Sequence, residues 1–253
     1  QRQMCIRDRL NIVVLDRSSV GEDVSVEPLR QYGNVIFHMT TRDEEAAERV
    51  KDADIIIVNK TPMNARTLDG AAHLQLICEF ATGYDNVDLE YCRKRGIPVV
   101  NVVNYSTAAV AQHTVACVLY ILEKLRYYDD YVKKGAYAAQ PRFSHFGLPY
   151  YELEGKTWGI AGLGNIGRKV AAIAAAFGCR VIYYSTSGKN SCRDYEQVDF
   201  DTLLKESDVL TLHCPLHEKT KNLINYNALV KMKRTAVLVN VARGAVVNEA
   251  DLC

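Results

Sequence analysis

Short apolar runs alternate with amphipathic stretches along the N-terminal part of the chain. Each run is rich in β-branched residues and almost continuously hydrophobic, which is typical of parallel strands covered on both faces. Between the runs, Thr41 and Glu44 predict a capping box for a helix that continues through Lys51, and Gly96 is expected to end a helix that begins near Asp88. The alternation predicts a doubly wound α/β domain. Its predicted strands are residues 11–15, 35–37, 55–58, 76–78 and 98–100.

The second half of the chain repeats this alternation after one long helical pattern. That helix is predicted over residues 107–127, and a segment rich in Tyr, Gly and Pro, which ends near Tyr151, is expected to link two domains. With right-handed crossovers and the usual strand order 3-2-1-4-5-6, the strands that follow would be the first four of a second sheet. No sequence then remains for strands five and six. The predicted strands are residues 157–161, 180–184, 209–212 and 236–239.

A glycine-rich loop follows the predicted strand at residues 157–161. Gly162, Gly164 and Gly167 have the G-x-G-x-x-G spacing, and apolar residues then recur at helical spacing until Gly178. In this spacing the first glycine permits a tight turn, the second lets the backbone approach a pyrophosphate, and the third lets the helix pack on the strand. The loop therefore predicts a dinucleotide site. The alternative is a strand-to-helix turn that merely happens to be glycine-rich.

These patterns together predict an α/β protein with two Rossmann-like doubly wound parallel-sheet domains, the second of them incomplete. The first domain is expected at residues 10–104, and the second, with its linker helix, at residues 105–253. Residues 1–9 are polar, contain a methionine and fit no element, so we expect them to be a non-native leader.

The choice of cofactor depends on the residue after the second strand of the dinucleotide unit. An acidic residue about 20 positions beyond the glycines usually holds the adenosine ribose. Ser185 stands there instead, and Thr186, Ser187 and Lys189 follow it. Loss of the carboxylate removes the repulsion against a 2′-phosphate, and the hydroxyl groups and the lysine offer donors. The position favours NADP, but the loop contains no arginine there, and NAD stays the alternative.

Composition and charge argue against several other function classes. The chain has 31 Lys and Arg residues against 30 Asp and Glu, so no basic surface for nucleic acid or anionic membranes is expected. The eight cysteines are scattered, which indicates reduced thiols and a cytoplasmic location. Residues 97–122 carry no charge, but polar residues interrupt them, so we expect a strand, a loop and a buried helix rather than a membrane span. Pro215 separates His213 from His217, and no metal site is predicted.

Arg243 follows the last predicted strand, in the run Asn-Val-Ala-Arg-Gly at residues 240–244. Open parallel sheets place ligand-contacting loops at this end of their strands. A guanidinium there suits a substrate carboxylate, because its planar fork can bind both oxygens. The alternative is an ordinary surface arginine at a turn.

Four motifs in order resemble those of the D-isomer-specific 2-hydroxyacid dehydrogenases. The resemblance covers nearly everything from Leu10 to Leu252. The motifs are Ala-Thr-Gly-Tyr-Asp-Asn-Val-Asp-Leu at 81–89 with Gly-Ile-Pro-Val at 96–99, Ser-Asp-Val-Leu-Thr-Leu-His-Cys-Pro-Leu at 207–216, Asn-Leu-Ile-Asn at 222–225, and the stretch 232–244 that ends in the arginine motif.

The resemblance implies an oxidoreductase that transfers a hydride between NAD(P)H and the carbonyl carbon of a small 2-oxo acid. It implies that Arg243 binds the substrate carboxylate and that backbone N–H groups of Thr82 and Gly83 assist it. Substrates of the hydroxypyruvate or glyoxylate type are favoured, because the linker resembles theirs, and a homodimer is expected of the full-length protein. The implied cofactor contacts come from Thr82, Asn165, Ile166, Ser185, Cys214, Thr220, Val241 and Ala242.

The family's acid–base histidine and its glutamate lie beyond the arginine motif, so we expect the 253-residue fragment to be nearly inactive and the natural protein to be longer. His113, His145 and His213 have no carboxylate at an evident spacing, and each is predicted to be structural. Tyr120 and Lys124 match the Y-x-x-x-K of short-chain dehydrogenases but precede the glycine loop, so core packing is expected for Tyr120. The alternative function is a non-catalytic nucleotide-sensing scaffold of the same fold.

Overall fold

The computed structural model describes residues 9–253, which divide into two compact units between Tyr105 and Ser106. Apart from Arg9, the predicted leader lies outside the described residues. Each unit is built on a five-stranded sheet in which every pairing is parallel. The predicted fold class, α/β with two Rossmann-like parallel sheets, is confirmed.

The first unit has the strand order β2-β1-β3-β4-β5. Its residues Val13, Ile56 and Ile77 belong to one buried cluster, while Ile12, Val14 and Ile57 belong to another, as the alternation of side chains along strands requires. The elements are β1 (Leu10–Val14), β2 (Gly33–Phe37), α1 (Asp43–Val50), β3 (Ile55–Val58), α2 (Ala65–Leu68), β4 (Leu76–Glu79), α3 (Leu89–Lys94) and β5 (Val99–Val100), with 3-10 turns at Arg17–Ser19 and Glu27–Gln31.

The helix ends in this unit test two sequence predictions. The capping box of Thr41 and Glu44 is wrong, because the Thr41 hydroxyl donates to the Leu15 carbonyl at 2.6 Å and does not cap α1. The Glu45 carboxylate instead accepts from the Arg42 backbone N–H at 3.3 Å. Gly96 does end α3, since it lies just beyond the helix with φ at +69°.

The second unit has the strand order β10-β9-β6-β7-β8. Trp158 of β6 is fully buried at its centre, and its indole N–H donates to the Thr211 hydroxyl of β9 at 3.1 Å. The elements are α4 (Thr107–Leu122), α5 (Leu125–Lys133), α6 (Ala136–Ala139), β6 (Thr157–Ala161), α7 (Asn165–Ala176), β7 (Arg180–Tyr184), β8 (Glu196–Gln197), α8 (Phe200–Glu206), β9 (Val209–Leu212), α9 (Tyr226–Leu229), β10 (Val237–Asn240) and α10 (Glu249–Leu252), with a 3-10 turn at Gly244–Val246.

The predicted numbering of strands in this sheet is wrong by one. β8 pairs with β7, and β9 pairs with β6 on the opposite side, so β9 is the fourth strand and β10 the fifth. The sequence pattern missed β8 because its two residues, Glu196 and Gln197, are both exposed and polar. The described part of the second sheet therefore contains strands one to five, where the pattern predicted only four.

The single long helix predicted over residues 107–127 is also wrong. Lys124 has a left-handed backbone with φ at +53°, and α4 and α5 are bent by 67° on either side of it. Tyr120 is 49% exposed and does not pack in the core. The segment expected to be a linker contains α5 and α6. Within residues 9–253, no single helix has both the length and the apolar character needed to cross a membrane.

Asp16, two residues beyond the end of β1, is a buried carboxylate that organises the carboxyl end of the first sheet. Burial by itself would raise its pKa, but hydrogen bonds from the backbone after β3 outweigh that effect and hold the pKa below its usual value. The carboxylate accepts from the backbone N–H groups of Asn59 (2.9 Å), Lys60 (2.9 Å) and Thr61 (3.2 Å), and from the Thr61 hydroxyl (2.9 Å).

We expect Asp16→Ala to lower the free energy of unfolding by about 3 kcal/mol or more, because buried donors lose their acceptor. Since the pKa is lowered in the folded state, the stabilisation is present above the ordinary value of 3.8 and is lost as the pH falls below it. Urea unfolding at pH 7 and pH 3 measures both effects, with exposed Asp23→Ala as the control. An equal loss in the two variants would contradict this role for Asp16.

Candidate cofactor and substrate site

The three glycines after β6 serve different purposes. Gly162 has φ at +96°, and a Cβ on it would lie 2.9 Å from the backbone N and Cα of Cys214. A Cβ on Gly167 would collide with the Gly162 carbonyl oxygen. A Cβ on Gly164 would meet no described atom within 4 Å. Packing therefore requires Gly162 and Gly167, whereas Gly164 faces open space of the kind that a bound pyrophosphate needs.

The N-terminus of α7 begins at this open position. Gly164 is the N-cap residue, and its carbonyl accepts the backbone N–H of Arg168 at 2.9 Å. The N–H groups of Asn165, Ile166 and Gly167 precede that first intrahelical bond, so helix geometry provides no acceptor for them within the helix. N–H groups in this position, with the helix dipole, favour a phosphate.

The parallel sheet brings other predicted contacts to the same edge. Ala161, Leu212 and Asn240 are register partners across β6, β9 and β10, so the loops that follow these strands lie side by side. Cys214 is buried beside Gly162, and burial raises the pKa of its thiol to about 11. The thiol is thus neutral at pH 7, and its predicted contact with the cofactor stays a prediction.

Ser185 follows β7 and is the site's most informative polar side chain. Its hydroxyl is buried and has no hydrogen-bond partner among residues 9–253. Thr186 is half-buried and Ser187 exposed, and the Ser187 hydroxyl accepts the Lys189 backbone N–H at 3.2 Å. A buried hydroxyl without a partner costs free energy, and a ligand that supplies the partner would recover it.

Thr220 has a structural task that limits its side chain. It is buried, and its hydroxyl donates to the Pro215 carbonyl at 2.6 Å and accepts the His217 backbone N–H at 2.9 Å. The side chain therefore closes the loop after β9. Its predicted contact with the cofactor stays a prediction.

Arg243 lies three positions after β10, on the same sheet edge as the glycine loop. Asn240 braces its turn, since the Asn240 amide donates to the Arg243 carbonyl at 2.8 Å and accepts the Ala242 N–H at 3.0 Å. The half-buried guanidinium donates to the Ala242 carbonyl at 3.1 Å. Val241 and Ala242 are partly buried against the two cores of this unit. The backbone of this motif is thus held rigidly beside the predicted cofactor site.

Thr82 and Gly83 belong to the first unit, in the loop after β4. The Thr82 hydroxyl donates to the Val102 carbonyl at 2.8 Å, and the Asn101 amide donates to the Thr82 carbonyl at 2.7 Å. The loop after β5 therefore supports the loop after β4. The role of Thr82 and Gly83 in binding a carboxylate stays a prediction.

Sequence reasoning missed Glu79, the last residue of β4. Glu79 is 2% exposed, and neither carboxylate oxygen has a hydrogen-bond partner among the described residues. Burial, with smaller contributions from Asp16 and Asp85, raises its pKa to about 7, although the nearby Asn86 side chain opposes this rise. The available signal was a glutamate that ends an otherwise apolar strand just before the Thr82–Gly83 loop.

Arg168 was also missed, although it directly follows the third glycine. Its guanidinium donates through Nη2 to the Ser191 carbonyl at 2.8 Å, which brings an arginine to the loop after β7. The prediction that no arginine stands next to Ser185 considered only residues 183–189. Arg168, which is distant in sequence, reaches the same loop from the first turn of α7.

The three histidines predicted to be structural have non-carboxylate partners. His113 contacts the Cys117 thiol at 3.6 Å, and His145 contacts the Tyr127 hydroxyl at 2.8 Å. His213 contacts the Thr211 hydroxyl at 3.0 Å, and burial lowers its pKa to about 4. Within residues 9–253, no group of three or more His, Cys, Asp or Glu side chains is arranged to hold a metal ion.

Comparison with known proteins places this geometry in a family. Residues 115–253 match the model of the D-isomer specific 2-hydroxyacid dehydrogenase NAD-binding domain. The chain belongs to that family. It is 37% identical over 244 residues to a glycerate dehydrogenase of Methylorubrum extorquens, which covers 95% of this chain and 75% of the relative. It is 35% identical to a hydroxypyruvate reductase of Blautia hydrogenotrophica, and the match covers 96% of this chain and 77% of the relative.

Solved structures support the same assignment. An acyclic imino acid reductase in complex with NADPH and D-Arg superimposes with a TM-score of 0.86 at 29% identity, over 96% of this chain and 78% of that one. A D-lactate dehydrogenase of Aquifex aeolicus, complexed with NAD and lactic acid, superimposes with a TM-score of 0.83 at 30% identity. The match covers 96% of this chain and 72% of that one. The family resemblance predicted from the motifs is confirmed, and this dehydrogenase uses a nicotinamide cofactor on small 2-hydroxy or 2-oxo acids.

The glycine geometry predicts opposite outcomes for two alanine variants of this dehydrogenase. We expect Gly164→Ala to change the free energy of unfolding by less than about 1 kcal/mol but to weaken NADH and NADPH binding, because its Cβ enters the ligand space. We expect Gly167→Ala to cost about 2 kcal/mol of stability, because its Cβ meets the Gly162 carbonyl. Thermal unfolding and fluorescence titration with each cofactor measure the pair. Unchanged cofactor affinity in a folded Gly164→Ala variant would contradict the assignment.

Proposed function

We propose that this dehydrogenase reduces hydroxypyruvate or glyoxylate to the corresponding 2-hydroxy acid, with NADPH preferred. The observation that carries the proposal is the position of Arg243, on a braced turn at the same sheet edge as the glycine loop. The names of the relatives, glycerate dehydrogenase, hydroxypyruvate reductase and glyoxylate reductase, support the choice of substrate.

The residues of the second unit divide between the two ligands. The glycine loop and the first turn of α7 would hold the pyrophosphate, and Ser185 would face the adenosine ribose. Arg243 would bind the carboxylate of the 2-oxo acid. In the first unit, Thr82 and Gly83 are proposed as substrate-binding residues from the family resemblance. When bound, the nicotinamide supplies the hydride. The protein's part is to orient the carbonyl carbon toward it, which a bidentate grip on the adjacent carboxylate achieves.

The preference for NADPH rests on the residue after β7. A carboxylate at this position would repel a 2′-phosphate, whereas Ser185 offers a buried hydroxyl that has no partner among the described residues. Thr186 and Ser187 add hydroxyl groups on the same loop. NAD remains the second candidate, since the lactate dehydrogenase similar to this chain was solved with NAD.

Binding of a panel of 2-oxo acids to the chain loaded with NADP tests the substrate proposal, because it does not require the acid–base residues. We expect hydroxypyruvate or glyoxylate to bind more tightly than pyruvate does. Arg243→Gln should raise the Kd of the 2-oxo acid by about 100-fold or more through loss of the charged grip, while the Kd of NADPH stays unchanged. Exposed Arg234→Gln on the amino side of β10 is the matched control. Tight cofactor binding without any response to 2-oxo acids, in turnover or in binding, would favour the nucleotide-sensing scaffold.

We also propose that the dehydrogenase forms a homodimer and works in the cytoplasm. Phe143 and Phe146 are 90% and 89% exposed, on a segment whose neighbouring His145 stacks on Tyr131 at 3.8 Å between ring centroids. Two large exposed aromatic side chains on a fixed segment suit a partner surface. The seven described cysteines are all unpaired, which supports a reducing compartment.

Sedimentation velocity tests the dimer. We expect the unmodified chain to sediment as a dimer and the double variant Phe143→Asp/Phe146→Asp to sediment as a monomer, because a buried carboxylate opposes association. Tyr226→Asp, which changes an exposed aromatic residue on α9, is the control and should remain dimeric. A monomeric unmodified chain would reject the proposal.

A further inference from the structure

Three positively charged side chains lie on or reach the loop that joins β7 to β8, which begins at Ser185. Lys189 and Arg193 lie on it and are exposed, and Arg168 reaches it from the first turn of α7. We infer that Arg168, together with Ser185, binds the 2′-phosphate of NADPH and thereby determines the selectivity for NADPH over NADH. The inference rests on the proposed function only in requiring that a dinucleotide binds at the glycine loop.

Arg168 is held in place without losing its charge. Its one described side-chain hydrogen bond is to the neutral Ser191 carbonyl, and no carboxylate within residues 9–253 lies in ion-pair distance of it. Arg180, at the amino end of β7, differs, because Glu196 at 2.7 Å and Glu206 at 2.6 Å neutralise it. A guanidinium has five N–H donors, so Arg168 keeps donors for an anion.

The loop itself is fixed relative to the end of β7. The Tyr183 hydroxyl accepts the Cys192 backbone N–H at 2.9 Å and donates to the Gln197 side chain at 2.9 Å. At the other end, the Gly188 N–H donates to the Ser185 carbonyl at 3.2 Å. The position of the Ser191 carbonyl, and with it that of the Arg168 guanidinium, is therefore set by β7, which ends one residue before Ser185.

The combination of groups matches a phosphate monoester better than a ribose hydroxyl. A 2′-phosphate carries a charge close to −2 at neutral pH and three acceptor oxygens. Arg168 supplies an uncompensated charge and a donor fork, while Ser185 supplies a hydroxyl that is 8% exposed and lacks a described partner. A bare 2′-hydroxyl group would use the serine but gain nothing from the cation.

In an alternative, purely structural role, Arg168 would only hold the loop after β7 in place through its hydrogen bond to the Ser191 carbonyl. In that role the loss of the side chain would loosen the adenosine pocket and weaken both cofactors equally. Binding of NADPH compared with NADH therefore separates selectivity from a merely structural role. The fragments 2′,5′-ADP and 5′-AMP repeat the comparison without the nicotinamide half.

The experiment is calorimetric titration of the whole chain with the four ligands. We expect Arg168→Gln to weaken NADPH and 2′,5′-ADP by about 10- to 100-fold and to change NADH and 5′-AMP by less than about twofold, since a charge-assisted hydrogen bond is lost only where the phosphate exists. Lys169→Gln removes the same charge from the next exposed position of α7 and should change none of the four. Arg168→Lys should keep part of the preference, because charge remains but the fork does not.

Three results would overturn the inference. An equal loss of affinity for NADH and NADPH in Arg168→Gln would show that Arg168 only holds the loop after β7 in place. Unchanged affinity for all four ligands would show that it takes no part in binding. An equal effect of Lys169→Gln would show that only general positive charge matters. If the unmodified chain bound none of the ligands, the proposed function itself would fail, and this result is distinct from the other three.

Discussion

The second unit depends on one backbone junction at the end of β6. The Gly162 N–H donates to the Tyr184 carbonyl of β7 at 2.9 Å, its Cα lies against the Cys214 backbone, and its carbonyl lies against Gly167 at the start of α7. Three strands' ends and a helix N-terminus can meet this closely only because no side chain intervenes. The first turn of α7 and the buried hydroxyl of Ser185, one residue beyond Tyr184, are positioned by that junction.

The two units differ in the groups that lie beyond the carboxyl ends of their strands, where backbone N–H groups can bind an anion. In the first unit, a buried carboxylate at Asp16 satisfies three backbone N–H groups after β3, so the protein itself supplies the anion. In the second, α7 begins at Gly164, beside open space. A helix N-terminus at such a place favours a bound phosphate, so there the anion would come from a ligand.

Local sequence patterns predicted the elements that are defined by their own residues. Strands such as Ile55–Val58 and Val209–Leu212 were predicted at their observed positions because they are almost entirely apolar and rich in β-branched residues. β8 was not, because two exposed polar residues become a strand only by pairing with β7. Helical periodicity likewise continues through Lys124, and nothing local indicated its left-handed backbone. The Thr41 cap failed because its hydroxyl bonds to the residue after β1, a contact distant in sequence.

The sequence by itself determined the fold class, the dinucleotide loop, the arginine motif and the family, because each depends on residues close together in the chain. Only the tertiary structure decided which glycine faces a ligand and which faces the protein, since identical residues differ only in what a Cβ would meet. It also placed Arg168 beside the loop after β7 and left Glu79 buried without a described partner. Such roles depend on segments that are far apart in the chain and that the sheet brings together. A pattern of residues along the sequence does not record which distant segments come into contact.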